Sequence, residues 1–231
     1  MKIEALFISD VHLGSRGSNA KDLLEVLKQY KPKTLFIVGD FIDGWLLKKR
    51  HYWNQDFTNV LRKVLSYTKK GTKVVYITGN HDEFLRHYVG DFGENITICN
   101  EYIWNGYYIT HGDLYDGVVQ MKWLGMLGSM GYELAIRIDR FMKFFGYKRS
   151  LSKWAKTKVK NAVKFITDFE VQLAYQARKR NCKGVICGHI HQPEMKTVEG
   201  IHYVNCGDWI ENNTYITFKD YLLLHRYASK V

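Results

Sequence analysis

Short apolar runs alternate with amphipathic segments along the first third of the chain. The runs "IEALFIS", "KTLFIV" and "KVVYIT", and later "GVIC", are nearly all apolar, which is typical of strands buried on both faces. Segments near residues 19–31 and 57–69 separate the first three runs and carry leucines at helical spacing. This alternation predicts βαβ units and a mainly parallel sheet.

The pattern changes later in the chain, where paired runs flank short turn signals. In "EYIW-NG-YYIT" the pair Asn105-Gly106 suits the positive φ angles of a type I′ turn, so a hairpin is expected. The stretches "MKTV-EG-IHYV" and "TYITF-KD-YLLLHRY" predict two further hairpins. Parallel strands followed by hairpins predict an α/β protein in which two sheets pack face to face with helices outside.

A long segment with helical spacing and no strand signal interrupts this rhythm. Ser150 and Ser152 are candidate caps of a helix within it. The apolar positions that follow the spacing of one buried helix face are Ala155, Val159, Ala162, Val163, Ile166 and Leu173. We therefore expect a core formed by residues 1–113 and 182–231, with residues 114–181 as a helical cap over the rim of the sandwich.

Composition narrows the class of protein. A chain of 231 residues with 46% hydrophobic and 25% charged residues is typical of a globular fold with one core and room for an inserted subdomain. No apolar run approaches about 18 residues and no signal peptide is evident, so we expect a cytoplasmic protein without a membrane span. The four cysteines lack CxxC spacing and are expected to be reduced thiols. The formal charge of +11 favours polyanionic partners: phosphates, nucleic acid or an acidic membrane surface.

Polar side chains follow the predicted strands in five places. They are Asp10 and His12; Asp40 and Asp43; Asn80, His81 and Asp82; His111; and His189 and His191. Parallel strands end at one edge of a sheet, which is where open α/β folds place their sites. Glycines directly before Asp40, Asn80 and His189 suit tight turns that bring backbone close to a ligand.

The chemistry of this set indicates metal binding. Mixed imidazole and carboxylate ligands suit Mn, Fe or Zn better than Ca. Six or seven protein ligands are too many for one catalytic ion with an open position, but they fit two ions about 3.5–4 Å apart that share a carboxylate. A turn or a satisfied core histidine explains any one cluster alone, but not five clusters in this order.

The five motifs resemble those of the calcineurin-like metallophosphoesterase superfamily. They are Asp10-x-His12, Gly39-Asp40, Gly79-Asn80-His81-Asp82, His111-Gly112 and Gly188-His189-x-His191. The resemblance implies a four-layer αββα sandwich and a dinuclear site that activates water for attack on phosphorus. One metal would be held by Asp10, His12, Asp40 and His191. The other would be held by Asp40, Asn80, His111 and His189, so that Asp40 bridges the two.

The remaining residues of the third motif have no metal in this scheme. His81 is a candidate to donate a proton or hydrogen bond to the leaving oxygen, and Asp82 to orient or charge it. An equally simple interpretation makes Asp82 the N-cap of a helix beginning in "DEFLRHY". For the two ions we expect manganese, with iron or zinc as alternatives.

The predicted cap suggests the kind of phosphate ester. Its basic positions proposed to bind substrate are Arg149, Lys153, Lys156 and Lys160, and Arg16 is a further candidate in the core. The stretches "WLGMLGSMGY" and "RFMKFFGYK" beside them are rich in Met, Phe and Trp. An apolar segment beside a basic stripe suits an amphiphile with a phosphate head or an anionic membrane surface, although a helical core with a solvated charged face has the same pattern.

Within the superfamily, the order of the motifs is similar to that of the UDP-2,3-diacylglucosamine pyrophosphatase group. The resemblance implies hydrolysis of UDP-2,3-diacylglucosamine to UMP and 2,3-diacylglucosamine 1-phosphate in lipid A synthesis, by a cytoplasmic enzyme peripheral to the inner membrane. The chain departs from this group at His81, where those enzymes generally have arginine. A nuclease, another phosphodiesterase or phosphatase, and a non-catalytic scaffold on the same fold stay open as alternatives. Asn205 and Asp208 either line the site or shape turns.

Overall fold

The computed structural model describes residues 1–115 and 166–228. Its strands are β1 (Lys2–Ile8), β2 (Lys31–Val38), β3 (Lys73–Ile77), β4 (Gly90–Asp91), β5 (Ile96–Cys99), β6 (Glu101–Trp104), β7 (Tyr107–Thr110), β8 (Gly184–Cys187), β9 (Glu194–Val198), β10 (Ile201–Asn205), β11 (Thr214–Phe218) and β12 (Leu222–Arg226). The helices are α1 (Ala20–Gln29), α2 (Gly44–Lys49), α3 (Gln55–Thr68) and α4 (166–179), with 3-10 turns at Glu83–Tyr88 and Asp113–Tyr115.

Two sheets form the centre of the molecule, as the sequence predicts. The larger has the strand order β12-β11-β1-β2-β3-β5-β4, and the smaller has the order β6-β7-β8-β10-β9. Strands β1, β2, β3 and β5 are parallel, which confirms the parallel layer, and β11 continues it antiparallel to β1. The "GVIC" strand, β8, lies in the smaller sheet, parallel to β7 and β10.

All three predicted hairpins are present. Strands β6 and β7, β9 and β10, and β11 and β12 pair antiparallel. The first turn has φ angles of 49° at Asn105 and 75° at Gly106, as a type I′ turn requires. Glu199 and Gly200 repeat this geometry with φ angles of 50° and 77°. The turn residues therefore fix the register of both hairpins in the smaller sheet.

The parallel strands are buried on both faces because each face packs against a different layer. Phe7 stacks on Phe36 with ring centroids 4.7 Å apart, and this pair belongs to the core between the two sheets, together with Ile109 of β7. On the opposite face, residues such as Leu6 pack with the apolar sides of α1 and α3, including Leu27. This two-sided burial explains why the runs are almost continuously apolar.

Beyond the smaller sheet lies the fourth layer. Arg180 follows α4 and its guanidinium lies 4.3 Å from the ring centroid of Tyr108, in β7. The carboxyl end of α4 therefore lies against the outer face of this sheet. Contacts divide the chain into one unit of Met1–Asp113 with Val171–Val231 and another of Leu114–Glu170. Most of the predicted cap lies outside the described residues, and the described part contains no helix long and apolar enough to cross a bilayer.

Candidate metal centre

The seven predicted ligands follow the carboxyl ends of strands in both sheets. Asp10 and His12 follow β1, Asp40 follows β2, Asn80 follows β3, His111 follows β7, and His189 and His191 follow β8. Backbone hydrogen bonds join these strand ends directly. The N–H of His12 donates to the carbonyl of Asp40 over 2.9 Å, and the N–H of Gly188 donates to the carbonyl of His111 over 3.1 Å. The two sheets thus bring the five motifs to one place.

One group of ligand atoms combines Asp10, His12 and His191. A carboxylate oxygen and two imidazole nitrogens lie within 4.8 Å of one another. The Nε2 atom of His191 is 3.1 Å from Oδ1 of Asp10, and Nε2 of His12 is 3.9 Å from the same oxygen. Three donors converging on one point in this way can hold a divalent cation.

A second group combines Asp10, Asp40 and His111, all buried. Nε2 of His111 lies 3.3 Å from Oδ2 of Asp40. The same oxygen lies 3.9 Å from Nε2 of His12, which belongs to the first group. Oδ2 of Asp40 therefore lies near donors of both groups, and Asp10 is a member of both. The ring of His189 is adjacent, with its centroid 5.2 Å from that of His111.

Four polar atoms of these residues lack hydrogen-bond partners among the described residues. They are Oδ1 of Asp10, Nε2 of His12, Oδ1 of Asn80 and Nε2 of His111. Each is buried, and an unsatisfied buried polar atom costs about 1–3 kcal/mol. All four carry lone pairs that a cation accepts, and they belong to the two groups that the motifs predict. The residues present therefore fit a divalent metal centre.

His111 is held in the tautomer that a metal ligand needs. Its Nδ1 lies 2.9 Å from the carbonyl oxygen of Val38, which can only accept. Nδ1 therefore carries a proton, which leaves Nε2, 3.3 Å from Oδ2 of Asp40, as the atom available to a metal. A backbone carbonyl commonly fixes metal-binding histidines in this way.

The backbone of the ligand residues is strained. Five of the seven have left-handed φ angles: Asp10 (50°), His12 (50°), Asp40 (51°), His189 (71°) and His191 (54°). Such angles are rare for residues other than glycine, and where they persist they cluster at functional sites. These φ angles turn the backbone just after each strand ends, so that side chains from successive motifs point to the same place.

The glycines that precede the ligands are required by close packing. A Cβ atom on Gly79 would lie 2.2 Å from Oδ1 of Asp40, and one on Gly188 would lie 2.4 Å from Oδ2 of Asp10. Any larger residue would displace the carboxylate. The sequence predicts close approach at these glycines, and the structure shows that the approached groups are side chains of the predicted metal ligands.

The central carboxylates are ionised despite burial. Burial would raise the pKa of Asp40, but the neighbouring imidazoles, His111 foremost, hold it well below its usual range. The pKa of Asp10 is also lowered, because His111 and His191 outweigh the effect of burial. In addition, the N–H of His81 donates to Oδ1 of Asp40 over 2.8 Å. Ionised, oriented carboxylates are the form that binds divalent cations.

His81 lies beside these groups, and its partner differs from the expected one. Its Nδ1 lies 3.1 Å from Oδ1 of Asp43, whose Oδ2 is 3.4 Å from Nδ1 of His12. The ring of Trp45 lies over His81, with centroids 4.3 Å apart. The sequence places Asp43 in a cluster without giving it a role, and does not identify Trp45. Asp43 lies three residues after Asp40, at the start of α2. This spacing is the only sequence signal that could have indicated the contact between Asp43 and His81.

Asp82 has a structural position that modifies both expectations for it. It occupies the predicted N-cap position of the following 3-10 turn, but its side chain makes no capping hydrogen bond there. Its carboxylate accepts instead from the N–H groups of Phe41 (2.9 Å) and Gly79 (2.6 Å) and from the hydroxyl of Tyr76 (2.6 Å). The carboxylate beside the His81 ring is that of Asp43. Asp82 joins the ends of β2 and β3, because its partners come from both.

Asn205 and Asp208 shape turns behind the site. Oδ1 of Asp208 accepts from three successive N–H groups, those of residues 210–212. The amide of Asn205 donates to the carbonyl of Gly188 over 2.9 Å. Arg16 is exposed, with its guanidinium 5.1 Å from the ring centroid of Tyr52. The other candidate substrate ligands lie outside the described residues: Arg149, Lys153, Lys156 and Lys160.

This geometry and the comparisons agree on the class of protein. Residues 3–193 match the sequence profile of the calcineurin-like phosphoesterase family, and the chain belongs to that family. The family is one of phosphoesterases, and the clusters of Asp and His in this chain could hold metal ions. Two packed sheets with a centre at their strand ends are the fold and site expected of this class.

One curated relative and two solved structures illustrate the similarity. Over 98 residues the chain is 30% identical to the UDP-2,3-diacylglucosamine hydrolase of Porphyromonas gingivalis (strain ATCC BAA-308 / W83), a match that spans 38% of this chain and 36% of the relative. A Streptococcus pneumoniae TIGR4 protein described as a predicted phosphoesterase has 14% identity and a TM-score of 0.43 over 97% of this chain and 88% of its own. Pseudomonas putida nuclease MPE has 26% identity and a TM-score of 0.30, over 46% of this chain and 53% of the nuclease.

Metal binding should stabilise the fold, because it satisfies buried lone pairs that otherwise have no partner. At a concentration of about 100 times its dissociation constant, a divalent ion such as Mn²⁺ should add about 2.7 kcal/mol to the free energy of unfolding. The melting temperature should then be about 5–10 °C higher than that of the protein in EDTA. Differential scanning fluorimetry measures this shift. The shift should shrink in His111→Ala and persist in His87→Ala, since His87 is exposed. Equal shifts in both variants would contradict the assignment of His111.

Proposed function

We propose that this enzyme hydrolyses the diphosphate of a lipid-linked nucleotide, and that its substrate is UDP-2,3-diacylglucosamine. The products would be UMP and 2,3-diacylglucosamine 1-phosphate, as in lipid A synthesis. The observation that carries the proposal is the surface beside His81, which combines aromatic, aliphatic and cationic side chains. The relative from P. gingivalis, which bears the name of this activity, supports the same substrate.

The surface in question is formed by α2. Asp43 fixes its start, because Oδ1 of Asp43 accepts from the N–H of Leu46 over 2.8 Å. Trp45 stacks on His81, while Leu46 is 38% exposed. Lys48 and the following basic residues are exposed as well. A ligand with a phosphate held at the metal centre would therefore meet apolar and cationic groups within one helical turn, which suits an amphiphile with anionic groups.

In this proposal the predicted metal ligands hold the cations to which the reacting phosphate binds. Divalent cations in such a centre supply positive charge that stabilises a phosphoryl group under attack and make water a better nucleophile. The role of Asp10 and Asp40 is to hold those cations with ionised, oriented carboxylates. The side chain of His81 is 26% exposed and that of His191 is 37% exposed, whereas Asp10 and His111 are fully buried. Substrate therefore enters from the side of His81 and His191.

His81 is placed to deliver a proton to the leaving oxygen. Burial would lower the pKa of its imidazole, but contact with Asp43, which is not a predicted metal ligand, is the largest of the effects that raise it, and the pKa is raised. An imidazole that keeps its proton near neutral pH is suited to general acid catalysis. Asp43 orients the ring and Trp45 packs on its face, so Asp43 is a positioning residue in this scheme.

The other parts of the proposal concern the setting. We infer that Mn²⁺ is the resident ion, with Fe or Zn as the alternatives that a mixed nitrogen and oxygen site accepts. We also infer that the enzyme works in the cytoplasm at an anionic membrane surface, where its acylated substrate would reside. A formal charge of +11 supports attraction to such a surface.

The test of the substrate is UMP release from UDP-2,3-diacylglucosamine in detergent with Mn²⁺, compared between the native chain and Asp40→Asn. Release that depends on Asp40 would support both the mechanism and the substrate. If UMP is not released while bis(p-nitrophenyl) phosphate is still hydrolysed with the same dependence on Asp40, the lipid substrate is wrong and the metal centre stands. Single-stranded and duplex DNA serve as further substrates, since cleavage of these alone would favour a nuclease.

Replacing His81 should slow turnover without removing metal. His81→Ala is expected to lower kcat by about 10²-fold, since general acid catalysis contributes about 10²–10⁴-fold. Bound metal should stay at the native level, because the ring of His81 is directed at Asp43. The exposed His87→Ala is the matched control and should keep the native rate. A loss of metal from His81→Ala would mean that His81 is a ligand and not the proton donor.

A further inference from the structure

A second concentration of charge lies at the opposite edge of the larger sheet. A cavity of about 600 Å³ opens where β1, β2 and β3 begin, between α1 and α3. We call it the lysine cavity, because seven of its lining residues are lysines and one, Glu4, is acidic. The metal ligands follow the other ends of the same strands. Seven residues of β1, or about 20 Å of extended chain, separate the two places.

Most of the positive charge in the lysine cavity is uncompensated. Lys33 pairs with Glu4 over 2.8 Å, and Lys28 pairs with Glu25 over 2.7 Å. The other five have no carboxylate within 4.0 Å in the part of the chain that the structure describes: Lys2, Lys31, Lys63, Lys70 and Lys219. They come from five separate places in the sequence, so the fold itself brings these like charges together.

Lys63 is the most enclosed of the unpaired lysines. It is half-buried, and its Nζ lies 4.4 Å from the ring centroid of Tyr67 at the base of the cavity. Burial lowers the pKa of Lys63, and the charges of Lys70, Lys28 and Lys31 lower it further. These lysines therefore repel one another, and an anion between them would remove that repulsion.

The shape and chemistry of the lysine cavity define its ligand. Its volume is in the range of small-molecule sites, about 300–1,000 Å³, and like those sites it is concave, whereas a macromolecular interface is usually flat. Lysine ammonium groups are compact point charges with three donors each, which suits phosphate oxygens approached from several directions. One carboxylate could balance only one of five charges. A ligand with two or more phosphate groups would balance most of them.

We propose that the lysine cavity binds a compound carrying several phosphate groups, independently of the metal centre. The ligand is either a soluble polyphosphorylated molecule or an anionic lipid surface that presents several phosphate headgroups. Its phosphates contact Lys31 and Lys63, which line the cavity from two different elements, the start of β2 and α3. The proposal does not depend on the substrate at the metal centre.

Lysine acylation followed by peptide mass spectrometry tests the proposal on the metal-loaded chain. Inorganic tripolyphosphate, at about ten times its dissociation constant, should slow acylation of Lys31 and Lys63 by about tenfold, because only the unoccupied fraction reacts. Lys21 and Lys179 are exposed lysines outside the cavity and should react at unchanged rates. Uniform protection of all four lysines would overturn the proposal, and protection of none would exclude a soluble polyphosphate as the ligand.

A pair of double variants supports the same test by calorimetry. Lys31→Gln with Lys63→Gln should weaken tripolyphosphate binding by about a hundredfold or more, since two charged hydrogen bonds to phosphate are lost. Lys21→Gln with Lys179→Gln makes the same change in net charge and should bind within about twofold of the native chain. Equal weakening in both pairs would indicate a diffuse charge effect and overturn the proposal. Unchanged hydrolysis of bis(p-nitrophenyl) phosphate shows that both pairs are folded.

A vesicle experiment distinguishes the two sources of phosphate. Vesicles with phosphatidic acid replace tripolyphosphate in the acylation experiment, and vesicles of phosphatidylcholine alone are the control. Protection of Lys31 and Lys63 by phosphatidic acid identifies a lipid headgroup, while protection by tripolyphosphate alone identifies a soluble ligand. Failure with both ligands would reject the lysine cavity as a binding site and leave the metal centre unaffected.

Discussion

Asp40→Asn should lower kcat/KM for phosphodiester hydrolysis by about 10³-fold or more, the equivalent of losing over about 4 kcal/mol of transition-state stabilisation. Oδ2 of Asp40 lies 3.3 Å from Nε2 of His111 and 3.9 Å from Nε2 of His12, so it is close to predicted ligands of both metals. An amide NH₂ in that place has no negative charge and no lone pair to offer a cation. Bound metal per chain should fall together with the rate.

The substitution leaves the local fold in place, which makes its effect interpretable. Asparagine has the shape of aspartate, and its Oδ1 can still accept the 2.8 Å hydrogen bond from the N–H of His81. Asp220→Asn, an identical chemical change on an exposed turn, is the matched control and should keep the native rate and metal content. The measurements are initial rates with bis(p-nitrophenyl) phosphate and metal analysis of dialysed protein. A variant with full metal and a rate within about tenfold of native would refute the bridging role.

The convergence of the candidate metal ligands could be predicted from sequence because each follows the end of a strand. An apolar run that ends in a polar motif fixes where the side chain lies, and parallel strands bring such motifs to one edge. The contacts of Asp82 could not be predicted in the same way. Its partners Phe41, Tyr76 and Gly79 come from two strand ends, and only the pairing of β2 with β3 brings them together.

Other features were missed for related physical reasons. The run "GVIC" indicates burial on both faces, but both sheets bury their strands in this way, so the run could not reveal its sheet. The contact between Asp43 and His81 joins residues of different motifs, and spacing within a motif does not report it. The lysine cavity collects side chains from β1, β2 and α3, so no charged stretch of the sequence marks it.

A second large effect is expected at Gly39, where backbone conformation and packing restrict the residue together. Gly39 has a φ angle of 78°, and a Cβ atom there would lie 2.3 Å from Cγ and Nδ1 of His111. The imidazole cannot move aside easily, because it is fully buried and its Nδ1 is bonded to the carbonyl of Val38. Gly39→Ala should therefore lower the free energy of unfolding by about 2–5 kcal/mol, combining a left-handed alanine with overpacking, and should displace a metal ligand.

Gly71→Ala separates these two causes. Gly71 has nearly the same φ angle, 80°, but a Cβ atom there would have no neighbour within 4 Å. Gly71→Ala should therefore lower the free energy of unfolding only by the conformational cost, about 1–2 kcal/mol, and the variant should keep its metal. Urea denaturation measures both losses, and the stabilisation of each variant by Mn²⁺ reports on the metal centre. Equal losses with equal response to Mn²⁺ would show that His111 can shift without consequence, in which case its position is not what determines metal binding. A larger loss in Gly39→Ala with a weakened response would tie the absence of a side chain at residue 39 to the placement of a metal ligand.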